Sequence, residues 1–214
     1  LGLRVHEIFH SIQGESTRAG WPCVFVRLTG CNLRCAYCDT RYAYDRGEDM
    51  AVEDILERIA AWNCNLVEIT GGEPLIQEET PVLAARLLER GKTVLLETNG
   101  SRNIGEVDER CVRIVDFKCP SSGESSANDY GNLERLSPRD EVKLVVADRS
   151  DYEFARDLYH RMRRRGVTSP VHFSPVFGIL APSRLAGWIL SDGLQVRLNL
   201  QLHKFIWDPD ARGV

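Results

Sequence analysis

No stretch of the 214 residues approaches the ~18 consecutive apolar residues of a membrane span, so no membrane partner is expected. An excess of basic charge is missing as well. Lys and Arg number 27 against 31 Asp and Glu, a formal net charge of −4, which leaves no global electrostatic footprint for nucleic acid. The opening LGLRVHEIFHSIQGE has neither the apolar core nor the small-residue cleavage site of a secretory signal, and the expected setting is cytoplasmic. Low-complexity segments and internal repeats are absent too. What the chain does have is seven cysteines, in a length that can bury a core without disulfide staples. They point to intracellular thiol or metal chemistry.

Strand-like and helix-like pieces alternate along the chain. Pro22–Leu28 is a short β-rich run, and apolar residues at helical spacing make 51–62 an amphipathic helix. Leu66–Thr70 reads as a strand, Thr80–Arg90 as a helix stopped by Gly91, and Thr93–Glu97 and Val112–Phe117 as strands. Glu141–Ala147 follows, then a helix over Tyr152–Arg165, a strand at Val171–Phe173, a helix near 183–191 and a last strand at 196–202. Between Phe117 and Glu141 only a weak helix around 128–136 is expected. This order implies βαβ units and an α/β fold with a parallel sheet. A closed eight-unit barrel typically needs about 250 residues. At ~30 residues per unit this chain accommodates an incomplete, splayed (β/α) barrel of about six parallel strands, as one domain over 1–214. Its functional loops belong at the C-terminal strand ends.

Cys31, Cys35 and Cys38 fall in the loop 30–40 with the spacing C-x-x-x-C-x-x-C. Structural zinc normally takes four protein ligands, and no fourth Cys or nearby His lies in this segment. Cubane iron–sulfur clusters use one thiolate per iron, so three cysteines leave the fourth iron open to a ligand. A zinc-stabilised interaction domain with a distant fourth ligand, and three buried thiols without metal, remain alternatives on spacing alone. Cys23, Cys64, Cys111 and Cys119 share no spacing and read as small packing residues. The basic run from Arg161 to Arg165 reads as a solvated helix end that complements the helix dipole, with a docking patch for an electron donor as the alternative.

The cysteine spacing, with aromatic Tyr37 before the third thiol, resembles the hallmark of the radical S-adenosylmethionine (SAM) superfamily. Gly71-Gly72-Glu73-Pro74 after the next strand resembles its second element, where glycines let the backbone approach a ligand. Four further segments narrow the resemblance: Glu7–Glu15, Cys38-Asp39-Thr40, Glu97-Thr98-Asn99-Gly100 and Gln201-Leu202-His203-Lys204. As a set, and over about Val5 to Trp207, they resemble the 7-carboxy-7-deazaguanine synthase family of the queuosine (7-deazapurine) pathway. A glycyl-radical enzyme activase shares the cysteine loop, but Gln13-Gly14-Glu15 and Gln201/His203 argue against it.

The resemblance implies a lyase that contracts the ring of 6-carboxy-5,6,7,8-tetrahydropterin, using a [4Fe–4S] cluster, SAM and Mg²⁺. It implies an electron donor such as flavodoxin, and a homodimer is among its implications. Cys31, Cys35 and Cys38 would hold the cluster and Thr40 the Mg²⁺, an ion that prefers oxygen ligands. Ile12, Gln13, Gly14, Glu15, Arg27, Thr70, Glu97 and His203 would meet the substrate, with Arg27 suited to a carboxylate. Tyr37, Cys38, Asp39, Gly72, Asp116, Phe117, Lys118, Ser174, Pro175, Val176 and Phe177 would meet SAM. The chain departs from the family's usual residues at Asp116-Phe117, at Ser174, and at Ser16, where a glycine is usual. No role is assigned to the tail 208–214.

Overall fold

The computed structural model describes Gly2 to Val214. In chain order the elements are β1 (Gly2–Ile12), β2 (Pro22–Leu28), β3 (Glu48–Ala51), α1 (Val52–Ala60), β4 (Leu66–Gly71), α2 (Thr80–Glu89), β5 (Thr93–Thr98), β6 (Val112–Asp116), α3 (Asn132–Arg135), β7 (Glu141–Val146), α4 (Arg149–Arg164), β8 (Val171–Pro175), α5 (Pro182–Ser191), β9 (Arg197–Leu198) and α6 (His203–Ile206). They form one sheet in the order β3-β1-β2-β4-β5-β6-β7-β8-β9. From β2 to β9 the neighbours are parallel, whereas β1 runs antiparallel to β2 and to β3. The expected set of about six parallel strands is therefore present as β2 and β4 to β8, with the two-residue β9 beyond them.

Several elements differ from the expectation, among them β3 and α6, which the sequence pattern did not show. The sequence pattern did not show β1, because a register shift between Val5 and Glu7 breaks its alternation midway. Such a bulge moves every later side chain to the opposite face, which erases a period of two. The last strand stops at Leu198, since the Asn199 side chain turns to Ser16 and Ser174 and the chain then bends into α6. The weak helix near 128–136 is the single turn α3.

Strand alternation puts apolar side chains outward, under the helices. Val24, Val26, Leu28, Val67, Ile69, Val94 and Leu96 pack with Ile55, Leu56, Ile59, Leu83 and Leu87 of α1 and α2. Val142, Leu144, Val146 and Phe173 pack with Tyr152, Ala155, Leu158, Leu185 and Ile189 of α4 and α5. Cys23, Cys64 and Cys111 are buried in the first of these cores and Cys119 in the second, which fits packing residues. At the start of β6 the buried Arg113 pairs with Asp140, at 2.5 and 3.0 Å, and fastens the loop before β7. No helix among the described residues is long and apolar enough to cross a membrane.

The inner positions of the same strands are mostly polar. Register aligns Phe25 and Arg27 with Glu68 and Thr70, Asp116 with Lys143, and Lys143 with His172. The sheet curves far enough for Lys143 on β7 to reach Glu15, just past β1, at 2.7 Å. No ladder closes the gap between β9 and β1; Ser16 N donates to Asn199 Oδ1 at 3.0 Å and Leu202 N to Gly14 O at 3.0 Å across it. The architecture is an incomplete barrel whose C-terminal strand ends open onto one cavity.

Because α4 runs back from the end of β7, its basic terminus lies at the closed end of the sheet, away from that cavity. There Arg163 donates to the carbonyls of Val167 and Ser169, and Arg161 lies over the Tyr130 ring at 4.3 Å. This run fastens a helix end and does not face the cysteine loop.

Candidate active site

The cavity at the open end has a volume of about 720 Å³, within the range of small-molecule sites. It is lined by every residue assigned above to metal, SAM or substrate except one. Phe117 is the exception. Its side chain is fully buried and stacks on Tyr130, so only its backbone, whose N–H donates to Lys143 O, lies near the site. The outward phase of the chain just past β6 places it in the second core.

The cysteine loop is fixed by the end of β4. A Cβ on Gly72 would fall against Gly30 O and 2.9 Å from Cys31 Cβ, so only glycine permits this approach. Buried Glu73 then ties three segments together. Its backbone N–H donates to Gly30 O, and its carboxylate accepts from Leu75 N, Thr98 Oγ1 and Asn99 N at 2.6–2.9 Å. The thiols of Cys31, Cys35 and Cys38 are free and all line the cavity. Burial pushes the Cys31 and Cys35 thiols up, while the Lys118 charge beside both favours the thiolates. Cys31 Sγ accepts from Leu33 N at 3.4 Å, and Asn99 Nδ2 lies 3.8 Å away. No three His, Cys, Asp or Glu side chains among the described residues converge on one ion, as a mononuclear zinc site would require. Thiols that each bind a separate iron need no such convergence, so this donor set fits a polynuclear cluster.

Thr40 precedes a short 3₁₀ turn at Arg41–Ala43, but its side chain makes no capping bond. Its hydroxyl donates instead to Asp39 Oδ1 at 3.0 Å, which leaves its oxygen lone pairs for a cation. Asp39 Oδ2 accepts from Lys204 Nζ at 2.9 Å and Gln201 Nε2 at 3.0 Å, so the cysteine loop is joined to α6. Burial opposes ionisation of Asp39, but the Lys204 ammonium and these hydrogen bonds outweigh it and hold the carboxyl below the usual range.

Across the cavity, the segment after β1 meets the inner face of the sheet. Gln13 donates to buried Glu68, and Glu15 N donates back to Gln13 Oε1 at 3.0 Å. Lys143 Nζ donates to Glu15 at 2.7 Å and to Glu97 at 2.8 Å. Burial raises all three carboxyls, but the Lys143 ammonium reverses this for Glu97, whose pKa lies below its ordinary value. Glu15 stays raised, and Glu68, beside the charges of Glu97 and Glu15, is held well above its ordinary value. Thr70 Oγ1 lies 3.4 Å from Glu97. Arg27 faces inward on β2, where its Nε donates to Glu7 at 2.7 Å. The rings of Phe9 and Tyr42 lie 5.8 Å from its guanidinium carbon. His203 packs so closely on Gly14 that a Cβ there would overlap the imidazole. Burial, with Lys204 beside it, lowers the His203 pKa and favours the neutral ring.

On the third wall, Asp116 Oδ2 accepts from Lys118 Nζ at 2.7 Å, while its buried Oδ1 has no protein partner. A buried carboxylate oxygen without a donor on the cavity wall suits a ligand hydroxyl or ammonium. Tyr37 Oη donates to Val145 O at 3.3 Å, and Ser174 to Phe177 continue the wall. The loop question at Ser16 is answered by its φ of 65°, the left-handed conformation natural to glycine. Its backbone N–H on Asn199 and its hydroxyl, accepting from Arg18 N at 3.1 Å, hold it there.

The sequence alone assigned no individual role to Glu68, Asn99, Lys143 or the tail. The strand patterns contained the inward phase of Glu68 and Lys143, which polar residues inside apolar strands could have signalled. The tail had no such signal. Pro209 to Val214 line the cavity, and the Arg212 guanidinium lies 4.3 Å over the Tyr42 ring.

Comparison with known proteins matches residues 25–178 to the Radical SAM superfamily. Over 99% of its length the chain is 45% identical to the 7-carboxy-7-deazaguanine synthase of Koribacter versatilis, all of which is covered. It is 49% identical to that of Chlorobaculum tepidum over 99% of this chain and 97% of the relative. The crystal structure of QueE from Escherichia coli superposes with a TM-score of 0.76 at 23% identity, over 94% of each chain, a likeness of fold.

Proposed function

The chain belongs to the 7-carboxy-7-deazaguanine synthases of the radical SAM superfamily, and from this premise we propose that it converts 6-carboxy-5,6,7,8-tetrahydropterin to 7-carboxy-7-deazaguanine and ammonia. The observation that carries this reading is a single cavity holding three free thiols, Thr40, Arg27 and the Glu15–Lys143–Glu97 cluster. Cys31, Cys35 and Cys38 would hold a [4Fe–4S] cluster, with SAM against Tyr37, Cys38, Asp39, Gly72, Asp116, Lys118 and the Ser174–Phe177 wall. When bound, cluster and SAM supply a carbon radical able to remove hydrogen from the substrate.

The chain's own residues bind and orient. Arg27 spends Nε on Glu7 and keeps its paired terminal nitrogens for a ligand carboxylate, where the planar fork gives two parallel bonds. Thr40 would hold Mg²⁺ through its hydroxyl oxygen, and the ion would supply positive charge for oxygen ligands in the cavity that Thr40 and Arg27 both line. Backbone groups of Ile12 to Gly14, with Gln13, Glu15, Thr70, Glu97 and His203, would hold the edge of the heterocycle. The lowered pKa of His203 keeps one ring nitrogen free to accept. An external one-electron donor of the flavodoxin class, a homodimer and a cytoplasmic setting belong to this proposal.

The test is anaerobic reconstitution with iron, sulfide, SAM, dithionite and Mg²⁺, then addition of the carboxytetrahydropterin and detection of products by mass. The expected product is 7-carboxy-7-deazaguanine. SAM cleavage without deazaguanine would keep the superfamily chemistry and overturn the substrate.

A further inference from the structure

Three acidic side chains, Glu15, Glu68 and Glu97, face one buried space with a single ammonium, Lys143, among them. Lys143 sits in the middle of β7, with Asp116 and His172 as its register neighbours, and is almost wholly buried. Its Nζ bridges Glu15 Oε2 and Glu97 Oε1. The other oxygens of that pair are lightly used: Asn199 Nδ2 reaches Glu15 Oε1 at 3.5 Å, and Thr70 Oγ1 reaches Glu97 Oε2 at 3.4 Å. Both distances are at the long limit for hydrogen bonds, so these oxygens keep accepting capacity toward the cavity.

We propose that Lys143 is a positioning residue for substrate binding, which fixes the Glu15 and Glu97 carboxylates side by side as hydrogen-bond acceptors for the N–H groups of the heterocycle. An ammonium has three donors and no acceptor, so whatever it bridges must accept. Without it, two neighbouring buried carboxylates could not both stay ionised, and one would take a proton. That proton turns an acceptor into a donor opposite a ligand N–H. The other charges facing this group do not replace it. Lys118 is already paired with Asp116, His172 lies 2.7 Å from Glu141, and Arg27 gives its Nε to Glu7 and keeps its terminal nitrogens for the ligand carboxylate. The inference rests on the pterin reading above and deepens it.

The experiment compares wild type, Lys143→Met, Lys143→Arg, Glu97→Gln and the Lys143→Met/Glu97→Gln double variant, each reconstituted anaerobically and checked for iron and sulfide per chain. The pterin KM and kcat are read separately. Lys143→Met should load its cluster like wild type and raise KM about 100-fold, with a much smaller change in kcat. Lys143→Arg, which keeps the charge and can bridge two carboxylates, should recover at least about tenfold of that loss. Glu97→Gln should add little on top of Lys143→Met, because the two act as one unit. An unchanged KM in Lys143→Met, or equal impairment in the Met and Arg variants at normal cluster loading, would overturn the proposal while leaving the substrate intact. If wild type does not turn over the pterin, the substrate reading fails and this inference falls with it.

Discussion

The two faces of the same parallel strands do opposite work. Outward positions such as Val26, Ile69, Leu96, Leu144 and Phe173 are fully buried against helices, where removal of apolar area from water stabilises the fold. Inward positions of the same strands carry Arg27, Glu68, Glu97, Asp116 and Lys143. In a closed barrel of this kind the interior is filled by layers of branched apolar side chains. Charged residues cannot form such a layer without ligands or water, so the sheet stays splayed and its centre stays open. The contrast separates stability, placed on the outer face, from binding, placed on the inner one.

The comparison makes predictions that scale from large to small. Phe173→Ala, on the outer face against Tyr152, should destabilise the protein by about 3–5 kcal/mol in denaturant titration, with little change in turnover per folded molecule. A matching loss of activity per folded molecule would break the division between faces. Thr40→Ala, on the cavity wall, should do the reverse. Turnover should fall about tenfold or more and its Mg²⁺ response flatten, with the melting temperature nearly unchanged. A variant that keeps the full Mg²⁺ response would remove Thr40 from the metal.

Glu68→Gln tests whether inner polarity costs stability. The native pKa of Glu68 is raised by burial and by the charges of Glu97 and Glu15, against Lys143 and Arg27. The native state therefore keeps a proton that the unfolded state releases above pH ~4.5. The stability contributed by the neutral carboxyl is full below that pH and is lost as pH rises toward the native pKa. Gln has no proton to lose and preserves the pairing with Gln13 in shape. The variant should match wild type near pH 4.5 and exceed it by about 1 kcal/mol at pH 8, read from melting curves at both pH values. A gap that is constant with pH would contradict a proton held on Glu68. The smallest effect belongs to Ser16→Gly, which relieves left-handed strain but gives up the hydroxyl contact to Arg18 N. A gain below about 1 kcal/mol is expected, and a loss would show that the hydroxyl outweighs the strain.

Much of the fold was legible because its signals are local. Six parallel strands and the four main helices follow from alternation, helical spacing and glycine stops, and Cys31, Cys35 and Cys38 declare themselves by spacing within one loop. Where a local signal was interrupted, it misled. The bulge at Val5 to Glu7 hid β1, and Asn199, committed to Ser16 and Ser174, ended a strand that composition alone would have extended. Phe117 shows the limit of carrying roles by position. It sits between two cavity residues, Asp116 and Lys118, yet the alternating phase sends its ring to the core.

By itself the sequence determined the three-cysteine loop, the run of six parallel strands and a length short of a closed barrel, since each depends on short-range pattern or on total length. Tertiary structure alone decided how distant charges share one space. It gave Glu15 and Glu97 a common ammonium, tied Asp39 to Lys204 and Gln201, brought residues 209–214 over the cavity and put Ser16 in a glycine conformation. Pairings across more than a hundred residues leave no mark in local pattern, because sheet curvature, set by all the strands together, fixes which inward side chains meet.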